Sequence, residues 1–177
     1  CLGAIGSFAA VILRTFSRSL GSTATFEYYI LAAVAWFGLQ GVYDTVYFAA
    51  TALAPDADAL VKLVSTWQAP LREIQIHGFA LLMILGVSQR ILPAFYGFTV
   101  IPRRRSLLLL TTINAGLVGQ CIGFVLMRTR GHMWAALWYP SVLLMAASAL
   151  AVAFSLGLYR PAQRPDRSLK FIRTAYA

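Results

Sequence analysis

Chemistry in this chain has to come from a short set of side chains. Only two of its 177 residues are histidine, His77 and His132, and only two are cysteine, Cys1 and Cys121. Four ionisable residues fall inside apolar stretches, where charge is costly and a functional role is the first thing to test: Asp44, Glu73, His77 and Arg90. His77 lies near the start of one apolar stretch and His132 at the start of another. If both stretches enter the membrane from the outside, the two imidazoles sit at similar depth on helices of the same direction. Tyr43 and Asp44 then approach the same outer half from the opposite direction. Two imidazoles at matched depth among apolar helices are what a low-spin haem needs, one on each side of the iron. His77 and His132 are therefore the candidate haem or metal ligands, although His132, close behind Arg128 and Arg130, also fits an exposed place at the interface. Glu73 lies four residues before His77, on the same helix face.

Arg90 carries a charge that it cannot shed. It needs Glu27, a cluster of carbonyls or a bound anion such as a haem propionate as its partner. It is thirteen residues from His77, about 220° around a helix, so the two do not face one small ligand. Gln40 and Gln120 fall near the middle of their stretches and Asn114 closer to the inner side, where amides bridge helices or line a polar path. Two histidines cannot supply both a haem ligand and a three-histidine copper centre, so copper is not supported. The cysteines match no redox or zinc spacing, and no residue is assigned a catalytic role.

The elements that must position these groups are long and apolar. The chain is 59% hydrophobic and 12% charged, about half the charged share of a soluble domain, and its mean hydropathy is +0.71. Stretches over residues 24–54, 74–98, 106–127 and 132–159 are each long enough to cross a bilayer, and residues 1–13 read as part of a further span. The fold expected is all-α: a polytopic transmembrane helix bundle of four full spans plus a partial N-terminal one, forming a single domain over residues 1–177. Transmembrane barrels use short alternating segments, which are not seen. An N-terminal apolar stretch too short to cross and a basic, partly apolar C-terminal end read as a segment of a longer protein. Residues 55–70 repeat apolar side chains at helical spacing and read as a short amphipathic helix lying on the outer surface, with Trp67 at headgroup level. Gly119 and Gly123, with Gly116 before them, form a small-residue seam for close helix packing, and Pro140 is expected to kink the last span.

A net charge of +9 does not point to nucleic acid here, because the cations sit in loops where they set topology. Arg14, Arg18, Arg103, Arg104, Arg105, Arg160, Arg164, Arg167, Lys170 and Arg173 fall on one side; Lys62, Arg72, Arg128 and Arg130 fall on the other. The first set is expected in the cytoplasm of a bacterium, with the chain in the inner membrane. The partners expected are the lipid bilayer and either the remaining helices of the same protein or another membrane subunit.

The stretch Arg72–Gly97, REIQIHGFALLMILGVSQRILPAFYG, is the most distinctive. It resembles a recurring helix of the NnrS family and related membrane proteins akin to haem–copper oxidase subunit I. The residues that carry the likeness are Gly78, Phe79, Leu82, Met83, Ile84, Gly86, Val87, Arg90, Leu92 and Pro93. Relatives often place histidines a few residues before the Gly–Phe pair, where this chain has Glu73 and Gln75 and a histidine only at His77. The resemblance implies a larger polytopic inner-membrane protein that binds haem, here haem b, and is linked to nitric-oxide or respiratory redox physiology. The rival readings are a transporter or permease-like segment and a structural subunit without cofactor. The orientation has a direct check. In a chain with Cys1 and Cys121 replaced by serine, Arg104→Cys is expected to react with a membrane-impermeant maleimide only in inverted vesicles, and Thr129→Cys only in right-side-out ones.

Overall fold

The structure is a computed structural model that describes residues 24–158 and 168–175 together with positions 3, 6, 7, 10, 11 and 14. Most of the N-terminal stretch read as a partial span, and Arg18, Arg160, Arg164 and Arg167 of the basic set, lie outside the described residues. Every described element is helical. Helix α1 is Thr25–Ala52. Helix α2, Ala57–Glu73, runs without a break through a π-helical segment, Ile74–Leu81, into α3, Leu82–Tyr96. Helix α4 is Arg103–Arg130; a 3₁₀ turn, His132–Trp134, leads into α5, Ala135–Ser155; and a short α6, Ser168–Ala175, follows.

Local chemistry sets these limits. Asp56 caps α2 by accepting a 2.7 Å hydrogen bond from the Ala59 amide, and Asp58 adds negative charge in the first turn. Gly97 ends α3 in the left-handed region at φ 67°, a conformation that other residues adopt only with strain. Gly131, at φ 115°, does the same for the reversal between α4 and α5.

Among the described residues, three helical stretches are long and apolar enough to cross a membrane: Ala57–Tyr96, Arg103–Arg130 and His132–Ser155. Helix α1 equals α4 in length at 28 residues but carries Glu27, Gln40 and Asp44, and it is not among the three. The expected surface-lying helix over residues 55–70 is corrected. It runs on into the second span as one helix, Ala57–Tyr96, with Thr66, Pro70 and Leu71 buried and Leu60, Val61 and Trp67 exposed. Pro70 sits within this run without ending it, and Ile74 keeps helical dihedrals of −62° and −42°. Pro140 likewise lies inside an unbroken α5.

The helices form two antiparallel hairpins. The first pairs α1 with the α2–α3 run over its whole length. Tyr43 Oη donates to the Trp67 carbonyl at 2.9 Å near the turn, Gly78 faces the Trp36 ring, Gly86 faces Tyr29 and Ile30, and Arg90 lies over the Phe26 ring near the other end. The second pairs α4 with α5 along the glycine seam. A Cβ on Gly116 would come within 2.8 Å of Met145 Cβ and the Ser141 carbonyl, and one on Gly123 within 2.9 Å of the Trp138 amide; one on Gly119 would meet Ser141 Oγ. The hairpins close on a buried core that includes Tyr29, Leu82, Leu85, Ile113, Leu117 and Val152. Beyond the C-terminal end of α5, Arg173 of α6 donates its Nε–H to the Leu158 carbonyl at 2.9 Å, while Ile172 packs against the core.

The seam makes a prediction. Gly116→Val forces overlap with α5 and is expected to lower the unfolding free energy by about 1–3 kcal/mol. Gly38→Ala, whose Cβ meets nothing within 4 Å, is expected to be neutral or slightly stabilising. Denaturation in mixed micelles compares the two.

Candidate functional site

The second helix carries Glu73 and His77 one turn apart, where its winding changes. Glu73 is the last residue of α2 and His77 lies inside the π-helical segment that follows. Such segments are uncommon and recur at functional sites. His77 Nδ1 is 2.5 Å from Glu73 Oε2, and Gln120 Nε2 on α4 donates to the same oxygen at 2.7 Å. Gln120 is 1% exposed, so its amide has no access to water and depends on the carboxylate. The carboxylate accepts from both sides, and this network assigns His77 as the tautomer that donates from Nδ1. The Nε2 of His77 makes no hydrogen bond among the described residues. Glu73 and His77 retain 40% and 30% of their side-chain surface, on a flank that no described helix covers.

A second inter-helix bond lies further inward, where Trp36 Nε1 donates to Asn114 Oδ1 at 2.6 Å. Tyr29 Oη donates to the Ser106 carbonyl at 2.8 Å, and Ser106 Oγ donates to Gln89 Oε1 at 2.8 Å. Sequence reasoning marked Gln120 and Asn114 as possible bridges without their partners. It missed Trp36, Ser106 and Gln89 altogether. The π-helical segment leaves no mark in residue type that would have shown it in advance.

The structure does not bring His77 and His132 together. His132 is exposed in the 3₁₀ turn, twelve residues beyond Gln120 and so about 18 Å further along the axis of α4. His77 lies level with Gln120 or further inward, because it is four residues past Glu73. The height estimate failed because the second helix starts at Asp56 rather than near Ile74, which moves His77 from its first turn to its middle. Arg90 belongs to neither group. It stands thirteen residues inward of His77, with its guanidinium carbon 5.3 Å from the Phe26 ring centre. It forms no ion pair with Glu27, whose Oε2 is buried without a hydrogen-bond partner.

No group of three or more His, Cys, Asp or Glu side chains among the described residues is placed to hold a metal ion. His77 alone has the form of a half-site. One ring nitrogen is tied to a carboxylate and the other is open, the arrangement that orients a ligating imidazole. Compared with known protein families, curated proteins and solved structures, the chain matches none.

The Glu73–Gln120 bond joins the two hairpins, so its loss should be felt as coupling between them. A double-mutant cycle of Glu73→Ala and Gln120→Ala is expected to give an interaction energy of about 1–2 kcal/mol, toward the upper end of intramembrane hydrogen bonds because one partner is a carboxylate. Additive losses would show that the bond carries no weight.

Proposed function

We propose that this chain is a four-span segment of a multi-pass protein of the bacterial inner membrane that holds haem b through His77, in nitric-oxide or respiratory redox physiology. Several observations support the membrane part. Arg105 and Arg128 bracket α4 at 23 residues apart, about 35 Å, close to the thickness of a bilayer core with its borders. Helix α1 runs antiparallel beside the second span and equals α4 in length, so it is taken as the fourth crossing helix. Large apolar side chains such as Val46, Leu108, Leu143 and Phe154 are more than 60% exposed, as suits contact with lipid. The arginine-rich Arg103–Arg105 end is assigned to the cytoplasm.

The observation that carries the haem reading is the Glu73–His77–Gln120 network. It lies about 12 Å inward of Arg128, since Gln120 is eight residues before that arginine. At this depth the half-open flank of Glu73 and His77 needs cover, because a carboxylate facing hydrocarbon is costly. The remaining helices of the same protein, or another membrane subunit, would supply that cover. Bound haem would supply one-electron redox chemistry and a site for small diatomic ligands. The chain's own residues do the rest. His77 presents Nε2, Glu73 fixes the ring and its tautomer, Gln120 holds the carboxylate, and the apolar helices exclude water. The likeness of Arg72–Gly97 to the NnrS helix agrees with this reading. His132, at the outer turn, is not part of it.

The test is the haem content of the full-length protein produced with haem available. Wild type and His132→Ala are expected to retain haem equally. His77→Ala is expected to lose it, and Glu73→Gln to bind it about 10–100-fold more weakly, as removal of an orienting hydrogen bond does at metal sites. Folded wild type that stays free of haem would overturn the reading and leave transport or scaffolding.

A further inference from the structure

A cavity of about 570 Å³ opens at the inner end of the first hairpin, lined by Thr25, Phe26, Gln89, Arg90, Pro93 and Ile101 among others. Arg90 is its only charged lining residue among the described residues. The guanidinium is held by its contact with Phe26, and its N–H groups have no hydrogen-bond or ion-pair partner among the described residues. Gln89 in the same wall has a buried Nε2 without a partner, although its Oε1 is engaged by Ser106. Two donor groups thus converge on one cavity without an acceptor. Glu27, in the neighbouring turn, does not line it.

The height of the cavity narrows what it can take. Arg90 sits at Phe26, two residues from Tyr28, whose hydroxyl accepts from Arg103 at 3.4 Å. The cavity is therefore level with the basic end of α4, at the membrane border. Its apolar side, Pro93, Ala94 and Val100, continues into the exposed side chains of Ile91, Phe95 and Val100. A guanidinium fork suits phosphate oxygens in a two-point contact. An apolar wall running out to the lipid-facing surface suits acyl chains, and basic pockets between helices on this side of a membrane hold anionic headgroups.

We propose that this cavity binds the phosphate of an anionic phospholipid of the inner leaflet, with Arg90 as the principal contact and Gln89 as the second donor. The proposal rests on the membrane reading and does not depend on haem. It also gives Arg90 a role apart from the haem-propionate contact considered from the sequence.

Delipidated full-length protein in a neutral detergent is titrated with phosphatidylglycerol, phosphatidylcholine or inorganic phosphate while its thermal unfolding is followed. Phosphatidylglycerol is expected to raise the unfolding temperature in a saturable way, as a ligand of the folded state does, while the other two leave it unchanged. Arg90→Gln is expected to weaken the apparent affinity for phosphatidylglycerol about tenfold. Arg104→Gln, in the same basic region but outside the cavity, is expected to leave it unaltered. If Arg90→Gln does not fold, Arg90→Lys keeps the charge, loses the fork and is expected to show a smaller loss of affinity. Equal affinity in the Arg90 variant that folds, an equal loss in Arg104→Gln, or equal protection by inorganic phosphate would each overturn the proposal. Haem content, read on the same samples, separates this result from the His77 assignment.

Discussion

A polar group inside an apolar bundle has to be satisfied by the protein itself, since neither hydrocarbon nor a packed core offers a substitute for water. That requirement organises the structure around Glu73. One of its oxygens accepts from Gln120 on α4 and from His77 on its own helix. Gln120 is fully buried and needs the carboxylate as much as the carboxylate needs it. The bond therefore fixes how deeply the second helix sits against α4, and with it the height of His77 and of the π-helical segment that carries it.

The same requirement is met at two further levels of the bundle. Trp36 reaches Asn114, and nearer the inner end Tyr29, Gln89 and Ser106 form a cluster in which a side chain of each first-hairpin helix meets α4. These bonds run between the hairpins, whereas the closest glycine contacts run within them. Gly78 and Gly86 let α1 and the second helix approach; Gly116, Gly119 and Gly123 do the same for α4 and α5. The division has a physical sense. Close packing without a side chain gives contact but little register, and a directed hydrogen bond at a given height supplies the register. Several residues in the motif-like stretch Arg72–Gly97 find their explanation here: Gly78 and Gly86 are contact points for α1, Phe79 stacks at 4.7 Å on Phe37, and Leu82, Leu85 and Leu92 are buried in the core.

Much of this was legible in the residues. Long apolar runs bounded by arginines gave an all-helical membrane chain, and the glycine spacing in α4 marked the seam with α5. The failures share one cause, the outer part of the second helix. Its amphipathic pattern, with Lys62 and Asp58 between apolar residues, does not tell a helix lying on a membrane surface from one that continues a span; in the structure Thr66, Pro70 and Leu71 are buried while Leu60, Val61 and Trp67 stay exposed. The expected helix stopped at residue 70, whereas the helix runs straight through Pro70. Misplacing that helix start shifted the inferred depth of His77, which made a pair with His132 look reachable. Identity of partners was the other gap. An amide in mid-span announces that it needs an acceptor, but nothing in its spacing says that Gln120 will find Glu73, or Asn114 will find Trp36. The π-helical winding leaves no residue signature of its own.

The haem role proposed for His77 requires one proton placement: Nδ1–H donated to Glu73 and Nε2 left without a proton. With only two histidines in the chain, ring nitrogens can be read individually. Solid-state nitrogen NMR of haem-free, histidine-labelled protein in lipid, with His132→Gln to assign the signals, measures the tautomer of His77. A protonated Nδ1 with an unprotonated Nε2, switching its state in Glu73→Gln, is the result this account predicts. A bare Nδ1 with the proton on Nε2, or a His77 signal indifferent to Glu73, would contradict it.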